Sequence, residues 1–170
     1  MKMHQERSYV VAIEDAEDVE GMYIDEEKGG YSFRNYNGLL LLGGVSHRTG
    51  ENEEGGSYEK LRKAAKEFYP NGKEKYHWSA QDCMTLDGIP YIGRYSNSTD
   101  NIYVATGFNK WGMTSSMVAA MIISDLILEK ENDFSQIFSP HRFDLSLSIN
   151  NIANDLIETS KNFIAEKIYI

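Results

Sequence analysis

The chain has 170 residues, enough for one hydrophobic core or for one domain with part of another. Its 26 acidic and 17 basic residues leave a net charge of −9, which argues against a nucleic-acid protein and against docking on anionic membranes. A single cysteine, Cys83, excludes an internal disulfide and fits a reducing compartment, so the cytoplasm is expected.

The opening residues carry charge but no apolar stretch of signal-peptide type, and no apolar run reaches the ~18 residues of a membrane span. Strands dominate the first half. Tyr9 to Ile13 opens the chain, and Met22 to Ile24 forms a short second strand. Tyr31 to Tyr36 meets Leu39 to Val45 across Asn37-Gly38, a strong hairpin signal because both central residues of a type I′ turn need positive φ. Leu39 to Leu42 is continuously apolar, which predicts burial on both faces. A helix follows from Tyr58 to Phe68, capped by Ser57, with Leu61, Ala64, Ala65 and Phe68 on one face and Pro70-Asn71-Gly72 beyond it. Short strands are expected over Lys75 to Ala80 and Tyr91 to Gly93, joined through the turn Leu86-Asp87-Gly88-Ile89-Pro90.

The most telling segment comes next. A strand, Ile102 to Ala105, enters a turn bounded by Gly107 and Gly112, and a long apolar helix, expected to be buried, runs from Met113 to Leu128. A strand feeding a helix through glycines aims free backbone N–H groups and a positive dipole end at one point. That suits an anion or an electron-rich ring, and Phe108 and Trp111 stand ready to close over a flat ligand. The bland alternative is an ordinary joint with Thr114 or Ser115 as helix cap. Beyond Glu129, Ser139-Pro140-His141-Arg142 reads as a connector and Ile149 to Ile168 as an imperfect surface helix.

Two motifs then carry a resemblance. Trp78 through Gly93, containing Thr85-Leu86-Asp87-Gly88-Ile89-Pro90-Tyr91-Ile92-Gly93, and Ala105-Thr106-Gly107-Phe108-Asn109-Lys110-Trp111-Gly112-Met113-Thr114 together resemble the C-terminal part of FAD-dependent amine and amino acid oxidoreductases. These are enzymes of the D-amino-acid oxidase and glycine oxidase type, and the likeness leans to the bacterial branch with an added Rieske iron–sulfur domain. It covers about Gln5 to Arg142. The fold it implies is α+β, a mixed, largely antiparallel sheet with helices on one side, plus a long C-terminal helical part. The division it implies is a substrate-binding domain over 1–100, the last strand and helix of a split FAD-binding domain over 101–130, and a connector with helix over 131–170.

The family's G-x-G-x-x-G unit for the dinucleotide does not occur in these 170 residues. The expectation is therefore a fragment whose missing N-terminal FAD domain is its partner, and which alone binds FAD poorly or not at all. A Rieske centre needs two Cys and two His ligands, which one cysteine cannot supply, so such a domain would also be a separate partner. No metal-ligand spacing links His4, His47, His77 and His141. Dimerisation is a further way to cover the apolar helix.

By resemblance, Gly107, Phe108, Asn109, Lys110, Trp111, Gly112, Met113 and Thr114 lie against the flavin, where N–H groups would stabilise charge on the reduced ring. Sheet residues form the roof over the flavin in this family. Tyr31, Arg34 and Tyr36 are expected to share one strand face, with Arg34 either gripping a substrate carboxylate or packing along the sheet edge. His47, placed just after a strand, either orients an amine or is a solvated loop residue. Amino-acid-oxidising members often carry Arg in R-P-x-T-x-D-G, where this chain has Asp82. An acid there favours an amine over an α-amino acid, unless Asp82 is structural. The competing class is a non-catalytic binding or assembly module that keeps the substrate-domain fold and uses Ile149 to Ile168 as its interface.

Overall fold

The computed structural model describes residues 3–27, 30–51, 55–142, 153 and 157. The fold is α+β, and the chain divides into two compact units, Gln5–Asp82 and Met1–His4 with Cys83–Ile170.

The first unit is built on a sheet of order β2-β3-β4-β1-β5, from β1 (Met3–Glu14), β2 (Met22–Ile24), β3 (Ser32–Tyr36), β4 (Leu39–Arg48) and β5 (Lys73–Thr85). Pairs β2–β3, β3–β4 and β4–β1 are antiparallel. Asn37 and Gly38 take φ of 49° and 73°, the paired positive values of a type I′ turn, and they set the register Tyr36↔Leu39 through Ser32↔Gly43. Strand alternation sends Val11, Ile13, Leu40 and Leu42 to one face, where α1 (Ser57–Phe68) covers them with Leu61 and Ala64. Each fully buried leucine there contributes about 2 kcal/mol. Ala12 and Leu41, on the reverse face, are also buried, as the continuous apolar run predicts.

Several expectations are corrected here. Ser57 does not cap α1: Gly56, at φ 79°, holds the cap position without a side-chain bond, and Ser57 lies buried in the first turn. β5 is longer than its apolar pattern suggested, running from Lys73 to Thr85. β4 runs on to Arg48, so His47 lies within a strand and not in a loop.

The second unit holds a two-stranded antiparallel ladder, β6 (Tyr91–Arg94) and β7 (Tyr103–Thr106), then α2 (Gly112–Ile127) and a four-residue helix, α3 (Ser135–Phe138), that local sequence did not announce. Among the described residues its core cluster is Ile92, Ala119 and Ile122, flanked by Phe108, Val118, Ile123, Leu126 and Phe138. α2 is not a buried helix in this chain. Met113, Met117 and Met121, spaced four apart on one stripe, are exposed, as are Ile127 and Leu128. Among the described residues no helix is long and apolar enough to cross a membrane. The helix expected over Ile149 to Ile168 lies outside the described residues, except that Ala153 and Ile157 are helical.

Candidate functional site

All eight residues of the glycine-turn constellation lie in the second unit. Gly107 leaves β7 at φ 71° and is buried, and a Cβ there would collide with Cγ2 of Thr85, so only glycine fits. The next four residues form a tight turn in which Trp111 N–H donates to Phe108 O at 2.7 Å. Its central residues, Asn109 and Lys110, have φ of 49° and 69°, which identifies type I′. Asparagine suits the first position. Lysine at the second holds a left-handed backbone at a cost of about 1 kcal/mol.

The turn delivers the chain to α2 with Trp111 as N-cap and no side-chain cap bond. Neither Thr114 nor Ser115 is the cap. Thr114 Oγ1 donates back to Trp111 O at 3.2 Å, and Ser116 Oγ to Met113 O at 2.8 Å, so these hydroxyls turn away from the helix's own N–H groups. Among the described residues no side-chain cap bond meets the start of this 16-residue helix, which carries the positive dipole end. Trp111 and Met113 flank this end, 60% and 86% exposed, while Phe108 is tucked into the small core.

What holds the turn is a hub that sequence reasoning did not isolate. Asn109 Oδ1 accepts from Thr85 N–H at 2.8 Å and from Thr85 Oγ1 at 3.3 Å. Asn109 Nδ2 donates to Gly107 O at 2.8 Å and Gly88 O at 3.1 Å. Asn109 N–H reaches Cys83 O at 3.3 Å. The T-L-D-G-I-P motif is thereby tied to the glycine turn.

The same motif is anchored from its other side by Arg142. Its guanidinium forks onto Asp87, with Nε–Oδ2 at 2.9 Å and Nη2–Oδ1 at 3.0 Å. It also donates to the carbonyls of Ile89, Pro90, Phe138 and Ser139 and stacks 4.0 Å over the Tyr91 ring. The pair is buried, with side chains 12% and 4% exposed. Burial of Asp87 pushes its pKa up, but the bonds from Arg142 and from Ile89 N–H and the nearby positive charge outweigh it, holding the carboxyl below its ordinary value. Arg142 is a clamp, where sequence alone suggested only a connector.

The four substrate-side residues all belong to the first unit, and the structure does not gather them. Arg34 stands exposed in the cross-strand row Met22, Arg34, Leu41, with Ala12 beyond. Tyr31 does not share that face. It differs from Arg34 in strand parity and packs edge-on against Phe33 and Phe68, on the α1 side. His47 is on the α1 side as well. A register shift between Arg7 and Tyr9 adds one residue to β4, and Val45 takes φ 52° there, a strained value for a β-branched residue. The bulge turns His47 toward Tyr9, whose ring stacks on it at 5.7 Å. Arg48 O can only accept, so His47 Nδ1 donates to it at 2.8 Å, and Nε2 shares a hydrogen bond with the Tyr9 hydroxyl at 2.9 Å. Asp82 is half-buried at the end of the first unit, next to the cysteine whose carbonyl meets Asn109.

Comparison with known proteins closes the question of family. The DAO model, described as FAD dependent oxidoreductase, matches residues 1–126. A Bacillus subtilis (strain 168) protein described as a Rieske 2Fe-2S iron-sulfur protein, YhfW, is 42% identical over 173 residues, covering 98% of this chain and 34% of its own length. Glycine oxidase from Geobacillus kaustophilus superposes with a TM-score of 0.71 at 20% identity, over 85% of this chain and 40% of that one. L-proline dehydrogenase from P. horikoshii superposes with a TM-score of 0.63 at 18% identity, over 83% and 40%. The chain thus spans about a third of the curated relative and two fifths of these structures. With its fold, its paired motifs and its glycine turn all of one kind, the chain belongs to the DAO family of FAD-dependent oxidoreductases.

Proposed function

We propose that this chain supplies the substrate domain and the flavin-facing turn of an FAD-dependent oxidoreductase acting on an amine or amino-acid-like substrate. The observation that carries the reading is the uncapped start of α2 behind a turn with two consecutive left-handed residues. Bound flavin supplies the two-electron sink for oxidising the C–H bond beside an amine. The residues present fit the edge of such a ring: first-turn N–H groups for developing negative charge, Trp111 for a flat face, and Lys110 as an added positive charge. They do not fit the dinucleotide half, for which the chain has no G-x-G-x-x-G loop. On this reading the 170 residues alone hold FAD poorly, and the apolar stripe Met113, Met117, Met121 is covered by the flavin-binding half of the whole protein.

Asp82, in place of the arginine common in amino-acid-oxidising members, supports a substrate that presents an ammonium group and lacks a carboxylate at that point. Arg34, exposed on the sheet face opposite α1, is the substrate-side cation of this reading. His47 and Tyr31, engaged on the α1 face, act through packing in it. The Rieske relative supports an iron–sulfur centre as electron acceptor, on a separate part of the protein.

The test is expression of the whole reading frame. The expected result is a visible flavin absorbance that bleaches anaerobically with a primary or secondary amine. A flavin-free product would retire the proposal in favour of a non-catalytic module. Bleaching by α-amino acids but not by simple amines would retire the role given to Asp82.

A further inference from the structure

We infer that Asn109 is the positioning residue of this site, aiming the amides of the turn and of the α2 start at the ligand; the inference rests on the flavin reading above. Three segments must be held together for that aim: the end of β5 at Thr85, the motif turn at Gly88, and the strand exit at Gly107. One carboxamide touches all three. Its orientation is not interchangeable. Gly88 O and Gly107 O can only accept, and Thr85 N–H can only donate, so Nδ2 must face the two carbonyls and Oδ1 the amide. Thr85 Oγ1 completes the hub at 3.3 Å from Oδ1 and 3.1 Å from Nδ2, in a residue only 6% exposed.

The arrangement explains why the turn tolerates a strained lysine. A type I′ turn ordinarily has glycine at its second centre, and here Lys110 keeps φ 69°. The bonds of Asn109 over-determine the neighbouring residue, so the backbone of Lys110 has no freedom to relax. Asn109 touches no ligand on this account; it acts through the direction it gives Lys110, Trp111 and Gly112.

Substitutions separate its parts. Asn109→Gly keeps the left-handed backbone and removes the carboxamide. Asn109→Asp keeps an acceptor for Thr85 N–H but turns an oxygen toward the carbonyls of Gly88 and Gly107. Thr85→Val keeps the N–H donor and removes the hydroxyl. The experiment uses the full-length flavoprotein, with sulfite as probe, because its addition to flavin leaves negative charge where the helix start would stabilise it. Melting temperature and amide exchange at Thr85 are read in parallel.

We expect sulfite affinity to fall about tenfold in Asn109→Gly, further in Asn109→Asp and less in Thr85→Val, each in protein that is folded at the assay temperature. Faster exchange of the Thr85 amide should accompany the first of these. Unchanged sulfite affinity with a lowered melting temperature would show a merely structural role and overturn the inference while leaving the flavin reading intact. Wild-type protein without flavin would overturn both.

Discussion

The two units differ in how they reach stability. Gln5–Asp82 has a layered core in which an amphipathic helix closes one sheet face and Val11, Ile13, Leu40, Leu42 and Leu61 are at most 2% exposed. Among the described residues, the second unit has Ile92, Ala119 and Ile122 as its buried cluster and leaves a methionine stripe of α2 in the open. It compensates with polar fastening, the Arg142–Asp87 clamp and the Asn109–Thr85 hub. A sheet with a helix on it can close by apolar area alone. The turn before α2 is instead held from behind by directional bonds.

Breaking the clamp should have the largest effect. Asp87→Ala leaves the Arg142 guanidinium buried without its acid and should cost about 4 kcal/mol in urea denaturation. A loss under about 1 kcal/mol would mean that the carbonyl partners suffice. The same pair sets an acid limit. Asp87 has a lowered folded pKa, so its contribution is complete above the unfolded value of about 3.9 and is lost as pH falls through the folded value. Asp87→Asn should therefore flatten the stability-versus-pH curve below about pH 4.

Leu42→Ala strikes the other unit's apolar core and should cost about 3 kcal/mol. Unlike Asp87→Ala, it should show no special acid dependence, and a matching acid dependence in its urea midpoints would erase the contrast between the units. Lys110→Gly removes a strained side chain from φ 69° and should raise stability by about 1 kcal/mol. In the full-length protein it should nevertheless weaken flavin or substrate affinity, and a variant both more stable and fully active would remove Lys110 from the site. The smallest effect is expected from Met117→Lys with Met121→Lys, which should change the melting of this chain by less than about 0.5 kcal/mol. The same pair should abolish FAD retention in the full-length protein if the flavin-binding half covers that stripe.

Much of this was legible along the chain. Asn37-Gly38 announced its hairpin because positive φ at two successive residues is a local steric demand. The apolar spacing of Leu61, Ala64 and Ala65 announced the core side of α1, although Phe68, expected on the same face, stays 49% exposed, and Gly107 and Gly112 announced the turn before α2. The glycine turn was legible as a segment, and what fastens it was not. Thr85 and Asn109 are 24 residues apart and Asp87 and Arg142 are 55 apart, and nothing in either neighbourhood names its partner. The shared face assigned to Tyr31 and Arg34 failed on strand parity, and the loop assigned to His47 failed on a bulge that local propensity does not encode.

Sequence by itself therefore determined the hairpin, the glycine turn and most strands and helices, because φ preference and apolar periodicity act over a few residues, and its two motifs carried the resemblance to the family. Tertiary structure alone decided which face His47 and Tyr31 occupy, what fastens the motif turn, and that α2 keeps an open apolar side. Register, directional bonding and burial depend on residues far apart in the chain. They are settled only when the folded backbone brings one donor to one acceptor.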